Sequence, residues 1–189
     1  DDGGGPLVIQ RARAEAGAAE WRHRGAMMFK SDFHATAYDD YVQALTLDPA
    51  DAAALAGLAE AAIMTRRPAD ALERLKSLTS SRAQTPAMLV AKSKLLAASG
   101  SFEAALAAAT EAASVAPVQA VALEQRASLV ADAGDMIELD AVVETLRRAP
   151  GGGAAADYYA AVSRFLRNDF AGTVQLAQGA IAADPQYAP

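Results

Sequence analysis

Residues 96–105 read "LAASGSFEAA", and the same arrangement of small, turn-forming and apolar residues returns twice further along the chain. Residues 130–139 read "VADAGDMIEL" and residues 164–173 read "RFLRNDFAGT". Gly100, Gly134 and Asn168 occupy the same place in the three stretches, so the interval between them is constant. Glycine, and asparagine after it, is the residue that most readily ends a helix in the left-handed conformation. The pattern predicts a helix, a tight turn and a second helix, repeated with a period of thirty-four.

Three prolines extend this period to the rest of the chain. Pro49, Pro117 and Pro185 are evenly spaced, and the interval between them is twice the period. A proline cannot continue a helix, so each is expected to follow the end of a second helix. Counted from residue 18, the chain divides without insertions into five units: 18–51, 52–85, 86–119, 120–153 and 154–187. Residues 1–17 are expected to form a flexible leader and a helical extension, and residues 188–189 the start of a truncated sixth unit.

The composition favours an all-helical protein and leaves several classes of function without support. Hydrophobic residues make up 52% of the 189 residues but aromatic residues only 6%, and alanine, the best helix former, dominates. The net charge of −6 gives no basic footprint for nucleic acid. The absence of cysteine excludes disulfides and thiolate metal sites and fits cytoplasm and periplasm equally. No apolar run approaches the ~18 residues of a membrane span. The abundance of alanine, together with the excess of arginine over lysine, indicates a GC-rich bacterial genome.

The eighth position of every unit carries a small residue, which allows two helices to approach closely. These residues are Gly25, Ala59, Ser93, Ala127 and Ala161. In the first unit, further large and small residues accompany Gly25 at fixed places. They are Trp21, Met28, Ala37, Tyr41, Ala44 and Pro49.

This pattern resembles that of the tetratricopeptide repeat family. The resemblance extends over all five units. It implies an all-α fold, a right-handed superhelical solenoid of antiparallel helix pairs whose concave face is lined by the first helix of each repeat. The family binds partner proteins on that face, so the expected function is a scaffold or adaptor module that holds a peptide or helix of a partner protein. The alternative is a non-catalytic docking or regulatory arm of a larger bacterial enzyme, such as a transferase or sulfatase.

The resemblance also nominates the residues of the groove, because the family directs certain positions of the first helix toward it. The nominated partner-binding residues are Arg22, Phe29, Lys30, Ile63, Met64, Val90, Lys94, Glu124, Tyr158, Val162 and Phe165. Among them Arg22, Phe29, Lys30, Tyr158 and Phe165 are the expected anchors, since aromatic residues and arginine dominate binding energy at interfaces.

No arrangement of residues in the sequence predicts catalysis, a metal site or a cofactor. His23 and His34 do not have the spacing of a zinc site. Asp39 and Asp40 are expected to be solvated charges, because a general acid–base pair needs a cleft that shifts pKa values. The expected partner is therefore a protein or peptide, with neither nucleic acid nor membrane insertion.

The last predicted helix raises the question of what covers its outer face. Val174, Ala177 and Ile181 fall on the side where a following helix would pack. Terminal repeats of a solenoid normally turn a polar face outward. The sequence therefore predicts an array cut at a repeat boundary, or an edge that associates with a second copy of the chain.

Overall fold

The computed structural model describes residues 16–79 and 84–187, and these contain ten α-helices and no strand. The helices are α1 (Ala18–Lys30), α2 (His34–Leu47), α3 (Ala52–Met64), α4 (Pro68–Thr79), α5 (Pro86–Ala98), α6 (Phe102–Val115), α7 (Ala120–Asp132), α8 (Met136–Arg148), α9 (Gly153–Leu166) and α10 (Phe170–Ala183). Most of the expected leader, and residues 188–189, lie outside the described residues. The expected fold class, an all-α solenoid of helix pairs, is confirmed.

The chain divides into two compact units, Asp1–Ala83 and Gln84–Pro189. Unit 1 contributes α1–α4 and unit 2 contributes α5–α10. In each unit a helix packs against the next one in the chain, and the first helices of neighbouring pairs also touch: α1 with α3, α5 with α7, and α7 with α9. Within the described part of unit 2, no contact joins α6 with α8 or α8 with α10. The first helices of unit 2 are therefore closer together than the second helices, which places their shared face on the inside of the unit's curve.

A residue in the left-handed conformation lies between the two helices of each pair. These residues are Asp32, Arg66, Gly100, Gly134 and Asn168, and their φ angles lie between 57° and 80°. They recur with the period that the sequence predicts. The predicted turns at Gly100, Gly134 and Asn168 are confirmed. Asp32 and Arg66 adopt the same conformation with a side chain, at a cost of about 1–2 kcal/mol each. The left-handed conformation therefore recurs in all five pairs, including the two in which the sequence has neither glycine nor asparagine at this place.

The core of unit 1 is built around the ring of Tyr41, which lies between two glycines. A Cβ atom at Gly25 of α1 would lie 3.0 Å from Tyr41 Cε1, and one at Gly57 of α3 would lie 2.2 Å from Tyr41 Cζ. Tyr41 itself is buried. The sequence predicts a small eighth residue so that helices can approach closely, and at Gly25 the missing side chain leaves room for this ring. Gly57, in the next helix pair, leaves room for the same ring.

The core of unit 2 is centred on α7, α8 and α9. Leu123, Val130, Leu139, Val142 and Tyr159 belong to one cluster of buried side chains there. A buried polar pair crosses from α7 to α5, where Gln125 Nε2 donates to Ser93 Oγ at 3.1 Å, and Ser93 in turn donates to the carbonyl of Ala105. Hydrogen bonding satisfies these buried polar atoms, as an interior of low polarity requires.

One expectation is wrong: Asp40 is not a solvated charge. Its side chain is buried on α2 and forms an ion pair with Arg24 of α1, from Nε to Oδ2, at 2.8 Å. Asp39 is exposed, as expected. Successive helical residues point in different directions, so two adjacent acidic residues can have opposite surroundings.

The last helix carries the exposed apolar face that the sequence predicts. Val174 and Ile181 are 57% and 65% exposed, Ala177 is half-buried, and Ala180 is the residue that α10 buries. Phe170 at the start of the helix is also exposed. None of the described helices combines the length and apolarity that crossing a membrane requires.

Candidate functional site

The first helices of unit 2 bring several nominated residues onto one face. Glu124 of α7 and Tyr158 of α9 both approach Tyr187, a residue that follows α10. Lys94 of α5 lies close enough for its charge to act on Glu124. Val162 stands one helical turn after Tyr158 and, like Tyr187, packs beside the unit 2 core. We call Lys94, Glu124, Tyr158, Val162 and Tyr187 the inner face of unit 2.

Tyr187 forms the centre of this inner face. Its hydroxyl donates a hydrogen bond to Glu124 Oε2 at 3.3 Å, and its ring meets Tyr158 edge-on with centroids 5.9 Å apart. Burial raises the pKa of the Glu124 carboxyl, although the hydrogen bond from Tyr187 and the charge of Lys94 act in the opposite direction. Burial and the nearby carboxylate likewise raise the pKa of the Tyr187 hydroxyl, which keeps it a donor at neutral pH. The arrangement is a half-buried acceptor surrounded by aromatic rings.

Tyr159 is buried in the core behind the inner face and contacts Tyr158. Its ring meets Tyr158 nearly perpendicularly with centroids 5.0 Å apart. Burial raises the pKa of Tyr159 to about 12, partly offset by a hydrogen bond with Ser128. Perpendicular aromatic pairs of this kind are favourable because the positive edge of one ring faces the negative face of the other. Tyr159 therefore fixes the position of Tyr158.

Phe165 lies further along α9, toward the opposite end of the helix from Tyr158. It is 55% exposed, and its ring contacts Phe170 of α10 with centroids 6.0 Å apart. Leu166 beside it is 39% exposed. Tyr158, Val162 and Phe165 follow the spacing of one helix face, so α9 presents an apolar stripe that ends in an exposed aromatic pair.

Val90 differs from the other nominated residues because the fold places it in the interior. It is 8% exposed and packs with Leu89, Ala112 and Ala122. A side chain in this position stabilises the contact among α5, α6 and α7 and offers little surface to a ligand.

In unit 1, two of the nominated residues make contacts within the fold. Arg22 of α1 donates from Nη1 to Asp51 Oδ2 at 3.0 Å. Asp51 also caps α3, because its other carboxylate oxygen accepts from the backbone N–H groups of Ala53 and Ala54. The ring of Phe29 packs on His34 with centroids 4.8 Å apart, at the turn between α1 and α2.

The remaining nominated residues of unit 1 are exposed near the C-terminal ends of the two first helices. Lys30 is the last residue of α1, and Ile63 and Met64 close α3 with exposures of 40% and 57%. These side chains form a mixed basic and apolar surface. Nothing in the described contacts brings them together with Arg22.

Sequence reasoning missed Asp51 and Tyr187, although both follow from the period. Each is the last residue of its predicted repeat, and each contacts the fifth residue of the same repeat, Arg22 in one case and Tyr158 in the other. The signal was therefore present in the spacing. The contact itself depends on the tertiary structure, in which the turn after the second helix returns to the first helix.

No group of three or more metal-ligating side chains occurs within residues 16–79 and 84–187. A cluster of paired charges lies there between α8 and the C-terminal end of α9. Arg167 donates from Nη2 to Asp140 Oδ2 at 2.7 Å, and Ser163 donates to Asp140 Oδ1 at 2.6 Å. Partial burial raises the pKa of Asp140, but the hydrogen bonds from Arg167 and Ser163 outweigh it and the pKa is lowered. These charges compensate one another and tie the helices together.

Comparison with known proteins gives one family and a consistent set of folds. A family model for the tetratricopeptide repeat matches residues 31–95. A thermophilic TPR protein of Thermus thermophilus is 18% identical with a TM-score of 0.72, and the match covers 90% of this chain and 93% of that one. YrrB, described as a TPR protein with an unusual peptide-binding site, is 16% identical with a TM-score of 0.56 and coverage of 96% and 92%.

A third solved structure, the APC/C hetero-tetramer Cut9–Hcn1, is 11% identical with a TM-score of 0.67, and the match covers 95% of this chain but 36% of that one. A search of curated proteins finds no match.

Proposed function

We propose that this chain, which is a tetratricopeptide repeat protein, binds a peptide or helix of a partner protein on the inner face of unit 2, extended along α9 to Phe165. The fold is consistent with a protein–protein interaction scaffold. The observation that carries the proposal is the stripe of Tyr158, Val162 and Phe165 on α9, beside the half-buried carboxylate of Glu124. An apolar stripe with one polar group is the kind of surface that positions a peptide, since the apolar part supplies affinity and the polar part fixes orientation.

The likeness to YrrB supports the proposal at the level of the fold. That protein is described as having a peptide-binding site. The proposal for this chain depends on its own residues, because an identity of 16% does not carry a site from one protein to another. We include Tyr158, Val162, Phe165, Glu124 and Lys94 in the site. Val90 is left out because it is buried.

The exposed residues of unit 1 form a second, smaller candidate surface. Lys30, Ile63 and Met64 are accessible, whereas Arg22 and Phe29 are engaged by Asp51 and His34. A partner that reaches unit 1 would contact the exposed ends of α1 and α3 first. We expect these residues to add to binding less than the aromatic residues of α9 do.

A selection experiment tests the proposal. A library of random linear peptides displayed on phage is selected against the whole immobilised chain, and the affinity of the selected peptides is measured by fluorescence anisotropy. The double variant Tyr158→Ala, Phe165→Ala is expected to weaken binding at least roughly tenfold, as removal of anchor residues does at other interfaces.

The matched control is Ile137→Ala on α8, because Ile137 is apolar and 84% exposed on a second helix. This variant should bind the selected peptides as the unaltered chain does. If the selected peptides bind the double variant as tightly as the unaltered chain, the inner face of unit 2 is not the site. Loss of binding in the Ile137 variant alone would place the site on the second helices.

A further inference from the structure

We propose that the inner face of unit 2 accepts a tyrosine side chain from an extended peptide, and that Tyr187 of the chain itself occupies this place until a partner displaces it. The inference rests on the proposed function and specifies the chemistry of the partner. It follows from what already lies on the face: a phenol ring beside Tyr158 whose hydroxyl donates to Glu124.

The segment that carries Tyr187 is held mainly by its own local bonds. The N–H of Gln186 donates to Asp184 Oδ1 at 2.9 Å, and the N–H of Tyr187 donates to the carbonyl of Asp184 at 3.1 Å. Asp184, Pro185 and Gln186 are exposed. Among the described contacts, the Tyr187 side chain is what fixes this turn to the inner face. Another tyrosine side chain in the same place could restore both the ring contact with Tyr158 and the hydrogen bond to Glu124.

The site discriminates among side chains by shape and by hydrogen bonding. A phenol ring fits edge-on to Tyr158, and its hydroxyl supplies the donor that the Glu124 carboxylate requires. Phenylalanine fills the same volume but leaves the half-buried carboxylate without that donor, which costs affinity. Phosphotyrosine lacks the donor and brings negative charge toward Glu124, so it is expected to be excluded.

Tyr187 competes with any such peptide because it is attached to the same chain. A tethered ligand acts at an effective concentration in the millimolar range for short connections. Removing its side chain should therefore raise the apparent affinity for a tyrosine peptide by roughly tenfold or more.

The test uses the full chain and a peptide with the sequence of residues 180–187, AIAADPQY, with blocked ends. Binding is followed by NMR titration, which suits weak complexes. The Tyr187→Ala variant should bind the peptide at least roughly tenfold more tightly than the unaltered chain. Peptides in which the tyrosine is replaced by phenylalanine should bind more weakly, and those with alanine or phosphotyrosine should not bind measurably.

A second pair of variants assigns the site to Glu124. In the Tyr187→Ala chain, Glu124→Leu should remove the preference for the tyrosine peptide over the phenylalanine peptide, while Glu144→Leu on α8 should leave that preference unchanged. If Tyr187→Ala does not fold, as judged by circular dichroism, the displacement of the Tyr187 ring signal by excess peptide in the unaltered chain is measured instead. The Tyr187→Phe variant identifies that signal.

Three outcomes would overturn the inference: equal affinity of the unaltered chain and Tyr187→Ala, equal binding of the tyrosine and alanine peptides, or a Tyr187 ring signal that excess peptide does not move. None of these would overturn the proposed function, because phage-selected peptides would still depend on Phe165 and Tyr158. Conversely, loss of the proposed function would appear as selected peptides that ignore both residues.

Discussion

The five tyrosines of the chain divide between the two units according to what surrounds them. Unit 1 has Tyr38 and Tyr41, both on α2 and both buried. Unit 2 has Tyr159, which is buried, and Tyr158 and Tyr187, which are half-buried on its inner face. Both tyrosines of unit 1 therefore fill its core, whereas unit 2 places one tyrosine in its core and two on its inner face. Glycines leave room for the Tyr41 ring, whereas the ring of Tyr159 meets Tyr158.

The largest effect should come from removing the buried tyrosine that supports the inner face. Tyr159→Ala is expected to lower the free energy of unfolding by about 3–5 kcal/mol, as truncation of a large aromatic side chain in a core does. Tyr158→Ala, one residue earlier and half-buried, should cost clearly less. Denaturant unfolding followed by circular dichroism measures both. Equal losses for the two variants would contradict the division between core and face.

A smaller effect should come from crowding the ring of Tyr41 in unit 1. Gly57→Ala places a Cβ atom 2.2 Å from Tyr41 Cζ, and the buried ring has little room to move. We expect a net loss of about 2 kcal/mol, because overpacking outweighs the gain in helix propensity. Gly153→Ala is the control, since no atom lies within 4 Å of its added Cβ. Thermal unfolding that shows no difference between the two variants would mean that Tyr41 is not confined.

A smaller loss of stability is expected from removing Arg67, the side chain that contacts the Tyr38 ring. The Arg67 guanidinium lies over the Tyr38 ring at 4.2 Å from its centroid and also pairs with Asp70. Arg67→Ala is expected to lower the free energy of unfolding by about 1 kcal/mol, which is typical of a cation–π contact near the surface. Asp70→Ala removes the ion pair and keeps the ring contact, so its smaller loss serves as the reference. If the two substitutions cost the same, the ring contact adds nothing.

The smallest expected effect is the pH dependence of stability that arises from Glu124 on the inner face. Because burial raises the pKa of Glu124 in the folded chain, its contribution to stability is fully present below the unfolded pKa and is lost as pH rises through the folded pKa. Glu124→Gln should therefore gain stability relative to the unaltered chain as pH rises from the unfolded pKa through the folded pKa of Glu124, as measured by urea unfolding at each pH.

The contribution of Asp140 to stability should depend on pH in the opposite direction to that of Glu124. Its lowered pKa gives stability that is present above the unfolded pKa and lost as pH falls through the folded pKa. The difference between the unaltered chain and Asp140→Asn should therefore shrink on acidification. The same pH trend for both variants would contradict the assigned surroundings of one of the two carboxylates.

The sequence predicted the turns more completely than it predicted the site. Gly100, Gly134 and Asn168 indicated left-handed turns, and the backbone at Asp32 and Arg66 follows the same interval. The nominated groove residues came from positions in a repeat, so they include Val90, which is buried, and Arg22, whose side chain binds Asp51. A position in a repeat gives the direction of a side chain but not the neighbours it meets there.

The sequence by itself determined the period, the class of fold and the places where helices end, because these depend on local preferences of glycine, asparagine, proline and alanine. Only the tertiary structure decided that Tyr187 returns to Glu124, that Gly57 faces Tyr41, and that Asp40 is buried against Arg24. Each of these contacts joins different helices, or a helix and a turn. Its existence depends on how closely those elements approach, and that distance is set by the packing of all the side chains between them.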